Sequence, residues 1–232
     1  MKSIFSPRVV GTACMALLLG ACAGTAAPPA TYDGLVLVPK SRFGVVYRRP
    51  GAEFSGYEAY GLVPCQVAFR KNWTRDQNRS TLDLSSRVTQ KDVAGIKDNI
   101  SAECDKYFSL ALERSPPYPL VQSFSDGERV LILRPAIVNL DISAPDMMSS
   151  SMKRVYTTEA GEMTLVLEVL DGTTGEILVR VIDRQVGGDM NRLQWSNSVT
   201  NSAEGRRILS RWADKLREGL DEVTATSAPT HQ

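Results

Sequence analysis

The stretch from Glu162 to Val186 constrains the fold more than any other. Two strand-like runs flank Asp171-Gly172-Thr173-Thr174-Gly175-Glu176, which reads as a four-residue hairpin loop closed by a left-handed Gly175. In the first run Leu165, Leu167 and Val169 share one face by the two-residue period, and Val166 and Leu170 share the other. A strand that is apolar on both faces is covered on both faces. The rest of the chain must therefore supply two covers.

Two amphipathic helices supply one of them. The first starts near Thr89, where Thr89-Gln90-Lys91-Asp92 resembles a capping box with Asp in the place of Glu. Val93, Ile96, Ile100, Cys104, Phe108, Ala111 and Leu112 form its apolar stripe, and Ser115-Pro116-Pro117 ends it. The second is expected over about Ser202–Val223, capped by Asn201-Ser202 with Glu204 following. Its stripe is Ile208, Leu209, Trp212, Ala213, Leu216, Leu220 and Val223. The other cover must come from an N-terminal arm, a long loop or a partner.

Further strands are expected at Tyr60–Arg70, with Val63, Cys65, Val67 and Phe69 on one face, and at about Leu120–Phe124 and Arg129–Ile142. Asp126-Gly127 makes a turn between the last two. Pro135 marks its strand as an edge or as bulged there. Lys71 to Arg87 is polar and expected to be mostly loop, and Ala144 to Ala160 reads as a long loop. Tyr32 to Gly51 is an arm with extended candidates at Leu35–Val38 and Val45–Tyr47, expected to lie across the domain surface. The fold class is α+β: a mainly antiparallel β-sheet with two amphipathic helices on one face, preceded by an extended N-terminal arm. One domain spans 32–224, with a polar tail at 225–232.

The N-terminus is of another kind. Lys2 and Arg8 give a positive segment, Val9 to Leu19 an apolar one, and small residues follow, as in a secretory signal. The apolar run is shorter than the ~20 residues a spanning helix needs. Leu19-Gly20-Ala21-Cys22 resembles a bacterial lipobox. The resemblance implies a signal peptide over 1–21, removed before Cys22, and lipidation of Cys22 on its sulfur, with palmitate-type chains holding the protein to a membrane. Several acyl chains on one residue make release very slow. Ala23 stands where an aspartate would mark inner-membrane retention, which points to the outer membrane, with the body in the periplasm. Residues 22–31 are small, contain prolines and read as a flexible tether.

Charge gives no support for a nucleic-acid partner. There are 27 basic and 26 acidic residues, and removing Lys2 and Arg8 leaves 27 − 2 = 25 basic, so the mature chain is close to neutral. A nucleic-acid partner would favour a basic patch. Of four cysteines, Cys14 leaves with the signal and Cys22 is the lipid site. Cys65 on a strand and Cys104 on a helix stripe remain, either bridged across a loop of about forty residues or buried as two thiols.

No catalytic constellation stands out. The only histidine, His231, lies next to the C-terminus, which removes the usual triads and most zinc sites. Neither a metal nor a cofactor is expected: there is no Cys-x-x-Cys, no Gly-x-Gly-x-x-Gly and no Walker-type loop. Ser150-Ser151-Met152-Lys153 matches Ser-x-x-Lys without its companion motifs and is expected to be polar loop. Glu159, Glu162, Glu168, Asp171 and Asp183 gather around the hairpin and leave carboxylate catalysis open, against the plain reading of solvated surface charge. Tyr57, Tyr60 and Trp73 are expected to pack under the N-terminal arm rather than form an exposed patch.

Several short motifs run through the mature chain: Arg49-Pro50-Gly51-Ala52, Leu133-Arg134-Pro135-Ala136-Ile137, Ala144-Pro145-Asp146, Ala160-Gly161-Glu162-Met163-Thr164-Leu165 and Leu167-Glu168-Val169-Leu170-Asp171. They continue in Thr174-Gly175-Glu176-Ile177-Leu178 and Arg180-Val181-Ile182-Asp183-Arg184. In these the chain resembles bacterial lipoproteins of domain-of-unknown-function family 3313 (DUF3313). The resemblance implies an exported lipoprotein and carries over no catalytic residue. The expected function is a non-enzymatic, lipid-anchored envelope protein that binds a periplasmic protein or cell-wall partner through the hairpin sheet or the loop around Met147-Met148. A carboxylate-dependent hydrolase and a structural subunit of an envelope assembly are the alternatives.

Overall fold

The computed structural model describes residues 27–79, 84, 87–123, 128–142, 156–157, 161–186, 194–195 and 198–226. The strands are β1 (Val36–Leu37), β2 (Val45–Arg48), β3 (Ala59–Leu62), β4 (Gln66–Phe69), β5 (Leu120–Val121), β6 (Val130–Asp141), β7 (Tyr156–Thr157), β8 (Glu162–Asp171), β9 (Ile177–Val186) and β10 (Gln194–Trp195). The helices are α1 (Trp73–Arg79), α2 (Gln90–Glu113) and α3 (Ser198–Thr226).

The β8–β9 hairpin is the centre of the molecule, as its two-sided apolarity requires. One eight-stranded, mostly antiparallel sheet runs β1-β2-β9-β8-β6-β3-β5, with β4 also on β6. The Asp171 N–H donates to the Glu176 carbonyl at 3.0 Å, and the Gly175 N–H to the Asp171 carbonyl at 2.8 Å. Gly175 takes φ 69°, where a side chain would strain the backbone. Leu165, Leu167 and Val169 enter one core with Cys104, Phe108 and Leu112 of α2 and Ile208, Trp212 and Leu216 of α3. Both helices lie on that face. Thr89 caps α2 as read from sequence: its hydroxyl accepts from the Asp92 N–H, and the Asp92 carboxylate accepts from the Thr89 N–H.

Several expectations are corrected. Tyr60–Arg70 is two short strands, both parallel to β6, because Pro64 breaks the run. The Cys65 backbone, left between ladders, is served by α2: Asp105 accepts its N–H at 2.8 Å and Ser101 donates to its carbonyl at 2.6 Å. Pro135 does not lie on an edge. β6 is flanked by β8 on one side and by β3 and β4 on the other. The Val63 N–H donates to the Leu133 carbonyl, so Pro135, two residues on, turns its missing donor to the same side. There β3 has ended at Leu62↔Leu133 and β4 begins at Gln66↔Ala136, so no hydrogen bond is forfeited. The bulge of this strand is farther along, between Val138 and Asp141, where Asn139 takes φ 51°.

Within Lys71–Arg87, expected as loop, α1 forms one short helix. Phe69 and Trp73 stack at 4.0 Å, the Trp73 indole donates to the Ile142 carbonyl, and Asn78 holds Val88 through both its amide atoms. Tertiary contacts make this helix where periodicity is too short to show it. α3 begins at Ser198, so Asn201-Ser202 lies inside it rather than capping it, and it continues to Thr226, through the first residues of the expected tail. Residues 28–31, expected as tether, belong to the folded body. Leu37 donates to the Pro29 carbonyl, Thr31 to the Leu35 carbonyl, and Ala30 bridges Val36. Tyr57, Tyr60 and Trp73 are neither an exposed patch nor packed under the arm. Tyr60 packs edge-on to Tyr118, Trp73 stacks on Phe69, and Tyr57 binds the hairpin turn.

Candidate functional site

The sheet is wider than its helical cover, and that mismatch makes a concave apolar feature. Seven strands on the main path at ~4.8 Å spacing span roughly 34 Å, whereas two helices packed ~10 Å apart cover about 20 Å. The shortfall falls beside α3, over β9 and β2. It leaves a cleft of about 370 Å³ between the C-terminal half of α3, the sheet and the 38–43 segment. Its walls are apolar, with Phe43, Phe54, Val181, Leu216, Leu220 and Val223 among them, and this volume lies within the usual range of ligand pockets.

The mouth of the cleft is polar. Arg42 reaches across it to Glu218 at 3.1 Å and Glu222 at 3.4 Å on α3, and all three side chains are at least half exposed. Phe43 lies under the Lys215 ammonium, 5.3 Å from the ring centroid. Lys40, at φ 57°, and Arg48 line the cleft, and neither is held by an ion pair among the described residues. The Arg48 guanidinium lies 5.0 Å over the Phe54 ring and donates to the Ala52 carbonyl.

The opposite face of the sheet carries a ladder of charge. Arg134 on β6, Glu168 on β8 and Arg180 on β9 are register neighbours. Arg180 then binds both carboxylate oxygens of Asp33 in the arm, at 3.2 and 2.9 Å. The Arg180 hydrogen bonds hold the Asp33 carboxyl well below the usual carboxylate range, down to about 2. Burial pushes the Glu168 carboxyl up, but hydrogen bonds from Arg134 and Arg180 outweigh it and hold the group low. The arm thus covers part of the second face, with Leu35 fully buried and the Tyr47 hydroxyl bound to the Pro28 carbonyl at 3.2 Å.

The hairpin carboxylates do not converge. Glu162 is paired to Arg184, which lowers it. Asp171 accepts the Tyr57 hydroxyl at 2.6 Å and the N–H groups of Thr173 and Thr174 at 2.8 Å, and is lowered, with the Tyr57 bond the largest cause. Tyr57 is pushed up to about 12, by burial first and by Asp171 second. Asp183 points the other way, into the helical layer. It is 3% exposed and accepts from Trp212 at 3.1 Å, Lys215 at 2.7 Å and Gln185 at 3.2 Å. A general acid needs a raised carboxyl, and Glu162, Glu168 and Asp171 are shifted the opposite way.

Cys65 and Cys104 face each other with Cα atoms 6.2 Å apart, a separation a disulfide spans. Cys22, Met147, Met148, Ser150, Lys153, Glu159 and His231 lie outside the described residues. Among the described residues no group of His, Cys, Asp and Glu is gathered to hold a metal ion, and no helix is long and apolar enough to cross a membrane. Sequence reading missed the cleft altogether, because its walls belong to residues that each read as ordinary core.

A family model described as "Protein of unknown function (DUF3313)" matches residues 25–216. No curated protein matches the chain. Among solved structures it is similar to the PelC dodecamer from Paraburkholderia phytofirmans, with 13% identity and a TM-score of 0.35, over 74% of this chain and 98% of that one. It is also similar to a candidate lipoprotein from Caulobacter crescentus CB15, with 12% identity and a TM-score of 0.34, over 56% and 87% of the two chains. For the hypothetical protein CT253 from Chlamydia trachomatis the values are 10%, 0.30, 68% and 97%. These likenesses are too slight to carry a property over.

Proposed function

The chain belongs to the DUF3313 family of proteins of unknown function, and on that premise we propose that it is a lipid-anchored lipoprotein of the bacterial envelope, a binding protein rather than an enzyme. Cys22 carries the lipid, the outer membrane holds it, and the body docks a protein or cell-wall partner in the periplasm. The observation that supports this reading best is how soon the folded body begins after the lipobox. Pro28 is already hydrogen-bonded to Tyr47, so only residues 23–27 separate Cys22 from the body. Fully extended, those six steps reach at most about 20 Å. A body on so short a lead searches only the layer next to the bilayer. The hairpin carboxylates Glu162, Glu168 and Asp171 are committed to arginines, a tyrosine and turn amides, which suits a scaffold better than an acid–base pair.

In-cell crosslinking of the intact lipoprotein, read by mass spectrometry, tests the partner claim. Crosslinks from the body to one envelope protein or to wall fragments are expected. Crosslinks only between copies of the chain would replace this reading with a self-assembling subunit.

A further inference from the structure

We propose that the cleft between α3 and β2 takes one acyl chain of a membrane lipid with an anionic headgroup. The inference rests on the anchor reading of Cys22, because proximity to the bilayer is one of its three supports.

The first support is chemistry. Most of the lining is aliphatic or aromatic, from α3, β2, β8, β9 and Phe43 and Phe54, which suits a hydrocarbon chain, and its charged members are Lys40, Arg42, Arg48 and Glu222. The second is charge. Lys40 and Arg48 lie at the mouth without ion-pair partners among the described residues, where a phosphate or carboxylate attached to a buried chain would emerge.

The third is placement and access. β2 turns Tyr47 toward Pro28 on one face and Val46 and Arg48 into the cleft on the other. The tether and the cleft therefore share one edge of the sheet, the edge that Cys22 holds within about 20 Å of the bilayer. The strap over the mouth closes on α3 through exposed ion pairs of Arg42 with Glu218 and Glu222, contacts of the weak kind that open readily.

Gly219 allows a clean test. It lines the cleft in the interior of α3, and a Cβ built on it meets nothing within 4 Å. Gly219→Phe therefore fills the cleft without displacing backbone, and replacing a helix-interior glycine favours the helix. The assay uses the mature chain with Cys22→Ser, free of its own lipid, and cis-parinaric acid as the fluorescent probe. Binding is expected with displacement by phosphatidylglycerol, weakened by about tenfold or more in Gly219→Phe at an unreduced melting temperature. In Lys40→Gln/Arg48→Gln, binding of the acid is expected to fall while binding of the matching fatty alcohol holds. No binding, or equal binding by Gly219→Phe, overturns the proposal. So does a dimer of the wild-type chain that Gly219→Phe abolishes while probe binding is unchanged. Because this chain lacks the Cys22 sulfur, a failed assay speaks to the cleft alone, and palmitate labelling of the native chain reads the anchor separately.

Discussion

Asp183 and Arg217 tie α3 to the rest of the molecule from inside the core. Asp183 is nearly buried between the Trp212 indole, the Lys215 ammonium and the Gln185 amide. Asp183→Ala would leave Lys215 unpaired under partial cover, and should cost roughly 3–5 kcal/mol in urea unfolding. Arg217 is 6% exposed and closes the end of α2 from α3. It donates to the carbonyls of Ala111, Arg114 and Pro116, binds Asp221, and lies 4.6 Å from the centre of the Tyr118 ring. The carbonyls of Ala111 and Arg114 are among those a helix end leaves without partners, and that of Pro116 lies just beyond it. Arg217→Lys should recover little of an Arg217→Ala loss of about 2–3 kcal/mol, because an ammonium cannot serve three carbonyls in the plane of one fork. The roles of both residues were hidden in the sequence for the same reason. Asp183 reads as a charge near a turn and Arg217 as the polar side of an amphipathic helix. A period locates a residue on a face and does not say whether a carbonyl from another element waits there. One signal was present: Asp183 falls on the same strand face as Val181, which is buried.

At the scale of elements, local chemistry set what was legible. The α2 cap is a contact between residues three apart, so sequence suffices to find it, and Thr89→Ala should lower stability by about 1 kcal/mol. The hairpin was equally plain, because its loop chemistry and period lie within one short stretch. The place of Pro135 was not, since it depends on a gap in a neighbouring pair of strands that arrives from residues 63–65. The arm depends on distant pairing too. Asp33 sits below its ordinary range through Arg180, so the contact is present above about pH 4 and is lost as pH falls toward 2. Hydrogen exchange of residues 28–37 should therefore rise as pH drops from 5 toward 2, after correction for intrinsic rates, whereas the amides of β8 stay protected. Exchange of the arm that follows β8 across this range would remove Asp33 as its clasp.

The described part of the molecule is a wide sheet under too few helices, with Cys65 and Cys104 facing each other at one side. The Cys65–Cys104 pair joins the β3–β4 junction to α2 across a separation of 39 residues, and such a loop closure is worth about 4 kcal/mol in the chain-entropy model. Cys65→Ala/Cys104→Ala and the reduced native chain should both unfold at lower urea, and equal stability with and without reductant would show that no bridge forms. The main path of the sheet ends in the two-residue strands β1 and β5, which offer little for another copy to pair with, and the four-residue β4, paired only with β6 among the described residues, is the longer edge. The fold class and the two helices followed from periodicity. The cleft did not, because it arises from a width that only the assembled sheet defines.

The central claim is that a short lead from Cys22 holds this body against a membrane, and radiolabelled palmitate fed to cells making the native chain and its Cys22→Ser form tests it most directly. The account predicts label on the native chain, none on Cys22→Ser, and release of the latter from the membrane fraction. A Cys22→Ser chain that still takes label, or a native chain that takes none, would contradict it.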